Sequence, residues 1–307
     1  MKWNIYQGSP LALSVTLSSG QAFRWRKDST NVWWGTIGNL GVALSKPNEG
    51  ADAPLYWQTF PLENRWEVVS DYLRLDVDVD ALYREWIKRE PAIAEATRRF
   101  RGLRVLRQPP QECLFSFLCA TCNTVTKIER TVSKLALRYG EPIASPNEEN
   151  GEQTPELFAF PTLLALAEAD EALLRSDLWG YRAPRVIQAA RSLSILPSDY
   201  LLALRQRPLA EVRSALTSLH GIGTKLADCI ALFSLDKDEA VPVDTHIRQI
   251  AVRHFAPLLS EKSLTPRVYA EIENAYRDRF GDYAGWAQQY LFFGELKRAE
   301  TLAGCPD

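Results

Sequence analysis

A tight glycine turn between two helical patterns is the feature that most constrains this chain. It lies in residues 216–246, LTSLHGIGTKLADCIALFSLDKDEAVPVDTH, which reads as helix, hairpin, helix, loop and a capped third helix. Gly221-Ile222-Gly223 forms the hairpin, where glycine supplies positive φ or close backbone approach. Free amides at the start of the second helix can hold a phosphate oxygen without reading sequence. A lone Gly-x-Gly is also ordinary turn chemistry, so both readings stand on it alone. Thr224 is expected as the N-cap, with Lys225 in the first turn behind it. The positive end of the helix dipole is expected to lower the Lys225 ammonium, which favours a nucleophilic amine.

The second helix adds a pattern. Lys225 and Cys229 are four residues apart and share a face, with Asp228 on an adjacent one. Asp244 follows Val241-Pro242-Val243 at the start of the next helix, and His246 lies in its first turn. Each has a plainer alternative. Lys225 suits a surface lysine, Cys229 a small buried residue, Asp244 an N-cap and His246 an exposed polar side chain. The three histidines have no His-x-x-x-His spacing, and no metal site built from side chains is expected.

The chain has 307 residues, enough for two or three small domains or one large core. No run of 18 apolar residues points to a membrane span. MKWNIYQGSP lacks a signal-peptide core, and an odd count of five cysteines suits a reducing compartment. The expectation is a cytoplasmic protein of a prokaryote or a nuclear protein, without a membrane partner and monomeric. Net charge is −2, yet residues 98–140 carry nine Lys/Arg against Glu112 and Glu129. Such a run is either a local phosphate-binding face or a solvated helix face.

Residues 1 to about 60 read as β-structure. LALSVTL, QAFRWRK, VWWGTIG, GVALSK and LYWQTF are separated by turn clusters, and their spacing suggests an antiparallel sheet. From about Glu63 the periodicity is helical, with helices expected over 112–120, 125–139, 161–205, 265–280 and 284–300. Residues 141–154 read as an exposed polar loop. The fold class is α+β: an N-terminal antiparallel β-sheet domain over 1–100 with flanking helices, then an all-α body over 101–307. The hairpin pair occupies about 209–235, and the N-terminal helices are free to join the body.

With these residues in view, the chain resembles the 8-oxoguanine DNA glycosylases of the eukaryotic type, in the helix–hairpin–helix glycosylase superfamily. The resemblance runs through SGQAFRW (19–25), ECLFSFLCATCN, LWGYRA, GIGTKLADCIALFSLDKDEAVPVDTH and GWAQQYLFFGEL, in that order along nearly the whole chain. It implies excision of 8-oxoguanine from duplex DNA after the nucleotide is flipped out. Lys225 would attack C1′, displace the base and form a Schiff base that eliminates the 3′ phosphate. Asp244 would stabilise the developing positive charge. Gly20 would offer its carbonyl to the N7–H that 8-oxoguanine has and guanine lacks. Cys229 and Phe292 would sandwich the base, and Gln288 would bond its Watson–Crick edge. Gly221, Gly223, His246, Asn123, Lys127, Tyr181 and Arg182 would contact DNA, the Tyr181–Arg182 pair as a wedge. No cofactor is required. A structural cation at the hairpin backbone is allowed, and no iron–sulfur cluster is expected because no spaced cysteines follow the core.

The sequence departs from the family pattern at Cys122, where the family has asparagine, at Lys127, where it has arginine, and at His220, where it has proline. Lysine lacks the bidentate fork of arginine, so weaker discrimination of the base opposite the lesion is expected. Two other readings remain: a glycosylase for other oxidised or alkylated bases, and a non-catalytic helix–hairpin–helix DNA-binding protein. The presence of both Lys225 and Asp244 speaks against the second.

Overall fold

The computed structural model describes residues 3–121, 123–144, 154–259 and 263–302, with side chains to 295 in the last helix. Five strands form one antiparallel sheet: β1 Asn4–Tyr6, β2 Arg26–Lys27, β3 Val32–Ile37, β4 Leu40–Ser45 and β5 Leu55–Phe60, in spatial order β1-β5-β4-β3-β2. The β3–β4 ladder pairs Trp34 with Ala43 and Gly35 with Val42. β3 and β4 are buried on both faces. One face carries Trp33, Val42 and Leu44 against Leu13, Leu17, Val69 and Tyr72. The other carries Trp34, Ala43 and Phe60 against Ile143 and Leu157 of the small ladder β6 Pro142–Ile143 and β7 Leu157–Phe158. Part of the expected 141–154 loop is therefore strand, and 145–153 lie outside the described residues.

One sequence expectation fails at the N-terminus. LALSVTL is not a strand; most of it lies in the helix Leu13–Ser18. Its alternating Leu11, Leu13, Val15 and Leu17 suggest a period of two, yet the buried set is Leu13, Thr16 and Leu17, a helical face. Docking decides it: the Ala12 amide bonds the Gly102 carbonyl at 2.8 Å, and Thr16 Oγ1 accepts from the Arg104 amide at 3.1 Å. β1 lies within the region read as β-structure but matches none of its runs, being three residues held by pairing with β5.

The rest is helical as its periodicity predicts, with Pro110–Ala120, Val125–Tyr139, Pro266–Phe280 and Ala284–Leu302 closest to expectation. The hairpin pair is Leu209–Thr217 and Thr224–Ser234. The large helical core takes in Phe23 and runs to Phe293. Within it Tyr83 and Trp86, from helix Val79–Arg89, pack against Tyr290 at 5.5 and 5.8 Å between ring centres.

Buried polar groups stitch the segment around Gly20 to this core. Arg104, fully buried, donates to the carbonyls of Pro10, Arg74 and Val77. Gln21 Nε2 donates to Thr16 O and Arg104 O, and its Oε1 accepts from the Leu106 amide. Gln108 Nε2 bonds Gln21 O at 2.7 Å, and the Gln108 amide bonds Phe233 O at 2.9 Å. Each such bond satisfies a group whose burial without a partner would cost about 1–3 kcal/mol. Gly20 is thereby tied to the hairpin helix that carries Lys225.

Much of the basic run over 98–140 is not one phosphate face. Arg101 pairs with Asp52 and Asp80, Arg107 with Asp71 and Asp236, and Arg138 with Asp177. With Arg104 buried, these cations hold the fold together rather than facing a polyanion.

Candidate active site

One cavity of about 440 Å³ gathers residues from three distant parts of the chain. Its wall includes Gly20 from the N-terminal segment, Lys225 and Cys229 from the hairpin helix, Asp244 from the next helix start, and Gln288 and Phe292 from the last helix. Its volume falls within the roughly 300–1,000 Å³ of ordinary ligand pockets. Phe117 and Phe233, stacked at 5.6 Å, give it an aromatic lining that the sequence reading did not single out.

The polar groups are placed to face a ligand. Gly20 has φ +79°, and a Cβ there would meet nothing within 4 Å. Glycine is thus needed for its backbone conformation, not for lack of space. Gln288 is 4% exposed, and its Oε1 has no hydrogen-bond partner. A buried carbonyl oxygen without a donor is costly unless a ligand supplies one. Asp244 Oδ1 caps its helix by accepting from the Ile247 amide at 3.0 Å while the residue also borders the cavity. The N-cap alternative and the cavity placement therefore coexist.

The helix dipole is not what sets the Lys225 ammonium. Its ammonium is held above, not below, its ordinary value, first by negative charge on the Cys229 sulfur it bonds, then by Asp244, with burial pulling the other way. The Cys229 thiol is itself pushed up to about 11, chiefly by burial, so the sulfur charge that raises Lys225 forms only in alkaline solution; of the remaining influences, burial, which lowers, outweighs Asp244, which raises. The capping expectation also shifts by one residue: Gly223 is the N-cap, Thr224 opens the helix, and no side chain caps it. The first amides of that helix are left without a side-chain acceptor.

Gly221 and Gly223 line a second hollow of about 410 Å³ with Thr121, Arg185 and Lys225. Gly221 has φ +88°, as the hairpin argument requires. Tyr181 is 52% exposed, with the Arg182 and Arg185 guanidinium groups 4.3 and 5.3 Å from its ring centre. Arg182 itself is buried and donates to the Thr121 carbonyl. Asn123 Nδ2 bonds the Cys119 carbonyl at 3.1 Å. Lys127 is exposed. His246 is exposed, its ring edge-on to Phe292 at 6.3 Å. Cys122 lies outside the described residues. These side chains are not among those lining the base-sized cavity.

Comparison with known proteins decides the family. Residues 5–114 match the domain described as 8-oxoguanine DNA glycosylase, N-terminal domain. The chain is 37% identical over 301 residues to the N-glycosylase/DNA lyase OGG1 of Arabidopsis thaliana, covering 95% of this chain and 79% of that protein. The chain belongs to the OGG1-type N-glycosylase/DNA lyase family. The N-glycosylase/DNA lyase of Saccharomyces cerevisiae is 30% identical over 94% of this chain and 84% of its own length. Among solved structures, MBOgg1 in complex with a low-affinity DNA ligand superposes with TM-score 0.82 at 27% identity, over 97% of this chain and 100% of that one. The Clostridium acetobutylicum 8-oxoguanine glycosylase/lyase, in complex with duplex DNA containing cytosine opposite 8-oxoG, has the same fold, with TM-score 0.80 at 24% identity over 97% and 100% of the two chains.

For a member of this family the site adds residues that sequence reasoning missed. Gln289, 4% exposed, borders the cavity and donates to the Ser19 carbonyl beside Gly20 at 3.3 Å. A second glutamine in QQ was the available signal. Cys119 and Cys122 have Cys-x-x-Cys spacing, which the metal expectation left out. Cys119 is buried with its thiol raised by that burial, and no group of three or more His, Cys, Asp or Glu able to hold a metal occurs among the described residues. Among the described residues no helix is long and apolar enough to cross a membrane.

Proposed function

We propose that this OGG1-family enzyme excises 8-oxoguanine from duplex DNA, with Lys225 as the nucleophile and Asp244 as its partner. The observation that carries this reading is the convergence of Gly20, Lys225, Cys229, Asp244, Gln288 and Phe292 on one cavity. The flipped base enters between Cys229 and Phe292. Gln288 Oε1, which has no partner, accepts from the base edge, and the Gly20 carbonyl accepts from N7–H. Guanine presents a lone pair there instead, so the same carbonyl repels it.

Lys225 attacks as the free amine, and Asp244, which borders the same cavity, is the carboxyl group placed to take part in moving its proton. The Lys225 nitrogen then bonds to C1′ as the C1′–N9 bond breaks, and the departing base takes a proton. The sugar opens to a Schiff base, and loss of the C2′ proton expels the 3′ phosphate. Asp244 stabilises the positive charge on the sugar. The hairpin amides and the exposed Tyr181 hold the duplex on either side of the lesion, with Arg182, Asn123 and Lys127 towards the orphaned base. No cofactor enters these steps.

Borohydride trapping on an 8-oxoguanine duplex tests the assignment. Wild-type protein should give a covalent adduct. Lys225→Gln should give none and slow excision by on the order of 10³-fold or more. An adduct that persists in the variant would defeat the Lys225 role. A second measurement addresses the opposite base. A bidentate arginine contributes about 1–3 kcal/mol of base discrimination, and here Lys127 stands in its place. Excision opposite adenine should therefore lie within about tenfold of excision opposite cytosine. A strict cytosine preference would refute this.

A further inference from the structure

We infer that Tyr269, outside the cavity, is a positioning residue for the reaction: its hydroxyl is a strut between the elements that carry Lys225 and Asp244. The inference rests on the roles proposed above for that pair. Tyr269 lies on helix Pro266–Phe280 and does not line the cavity. Its hydroxyl accepts from the Val243 amide at 3.1 Å and donates to Asp228 Oδ2. Val243 immediately precedes Asp244. Asp228 lies on the hairpin helix one turn after Lys225 and one residue before Cys229.

Asp228 itself has no access to substrate. It is 0% exposed and absent from the cavity wall. Its Oδ1 accepts from Arg213 Nε at 2.5 Å, Arg213 also pairs with Glu273, and Arg277 Nη2 reaches Glu273 at 3.1 Å. Two carboxyl groups and two guanidinium groups thus form a mutually bonded, partly buried cluster beneath the hairpin helix. Burying such charges is costly unless each is well bonded, so a cluster of this kind has little freedom to move. Tyr269 ties the segment before Asp244 to it. On the other side, the Ile247 amide holds the Asp244 carboxylate at 3.0 Å. Asp244 is thereby braced from both neighbours relative to Lys225. Reacting groups misplaced by about 1 Å lose about 10² in rate, so a strut of this kind acts on the chemical step and not on DNA affinity.

Tyr269→Phe removes one oxygen and tests the strut. Three quantities should be measured: the single-turnover rate constant for 8-oxoguanine excision, the rate constant for borohydride trapping at a preformed abasic site, and equilibrium binding to duplex DNA. Both rate constants should fall about tenfold or more, with the dissociation constant unchanged within twofold. A single-turnover rate constant does not depend on the fraction of folded enzyme, whereas the amplitude does. A variant that is merely less stable would keep its rate constants, and that result would overturn the strut. An equal loss of rate and of DNA affinity would overturn it too. Lys225→Gln run in parallel keeps the underlying reading separately testable, because trapping that survives in it removes the Lys225 role whatever Tyr269 does.

Discussion

Gly20 shows how one residue can be required for its backbone. It borders the cavity, its backbone takes φ +79° there, and a Cβ would meet nothing within 4 Å. A side chain would fit and still be strained, at about 1–2 kcal/mol. Gly20→Ala should therefore slow 8-oxoguanine excision about tenfold while leaving cleavage at a preformed abasic site unchanged, since that substrate has no base to read. Equal loss on both substrates would show that position 20 serves stability alone. Lys225 makes the opposite point. Its residue type and helix position were legible, but the direction of its pKa was not. That direction depends on Cys229 four residues on and on Asp244 across a loop, and only folding sets their distances.

At the level of elements, the hairpin and the last helix do the positioning. The hairpin pair was readable because two helical periodicities flank two glycines. The seat of the last helix was not. Gly285, at its start, donates its amide to Asp238 O at 2.8 Å, and a Cβ there would lie 2.2 Å from Ala240 O. Trp286 Nε1 bonds Asp238 Oδ1 at 2.9 Å, and Arg74 reaches the same carboxylate at 3.1 and 2.9 Å. Gly285→Ala forces backbone apart and should destabilise the fold by about 3 kcal/mol. Because Gln288 and Phe292 ride on this helix, excision should fall as well; an unshifted urea midpoint would contradict this account. We also propose that helix Val79–Arg89 belongs with the helical body rather than the sheet, because Tyr83 and Trp86 pack on Tyr290.

For the whole molecule, burial of acidic hydroxyl and thiol groups sets an alkaline limit. Tyr72, Tyr276 and Tyr290 are all raised above the ordinary 10.0, first of all by burial, and Cys113 and Cys229 are raised above 9.0 for the same reason. Above those ordinary values the unfolded chain loses protons that the folded chain keeps. Their contribution to stability is therefore complete below about pH 9 and is lost as pH rises. The loss is about 1.4 kcal/mol per pH unit for each group. Urea midpoints should hold level from pH 7 to 8.5, decline past 9 and drop steeply past 10. A level midpoint through pH 11 would refute the burial of these groups. What the sequence by itself determined was local: helix periodicities, the glycine turn, most of the sheet strands and the residue types able to do the chemistry. Periodicity and turn preference act over a few residues, so they are written in the order of residues. The tertiary structure alone decided that 13–18 bends into a helix, that many basic residues are spent on ion pairs, and that Lys225 sits against both Cys229 and Asp244. It also decided that positions 20, 225–244 and 288–292 share one cavity, because contacts between distant residues follow from packing, which no local pattern records.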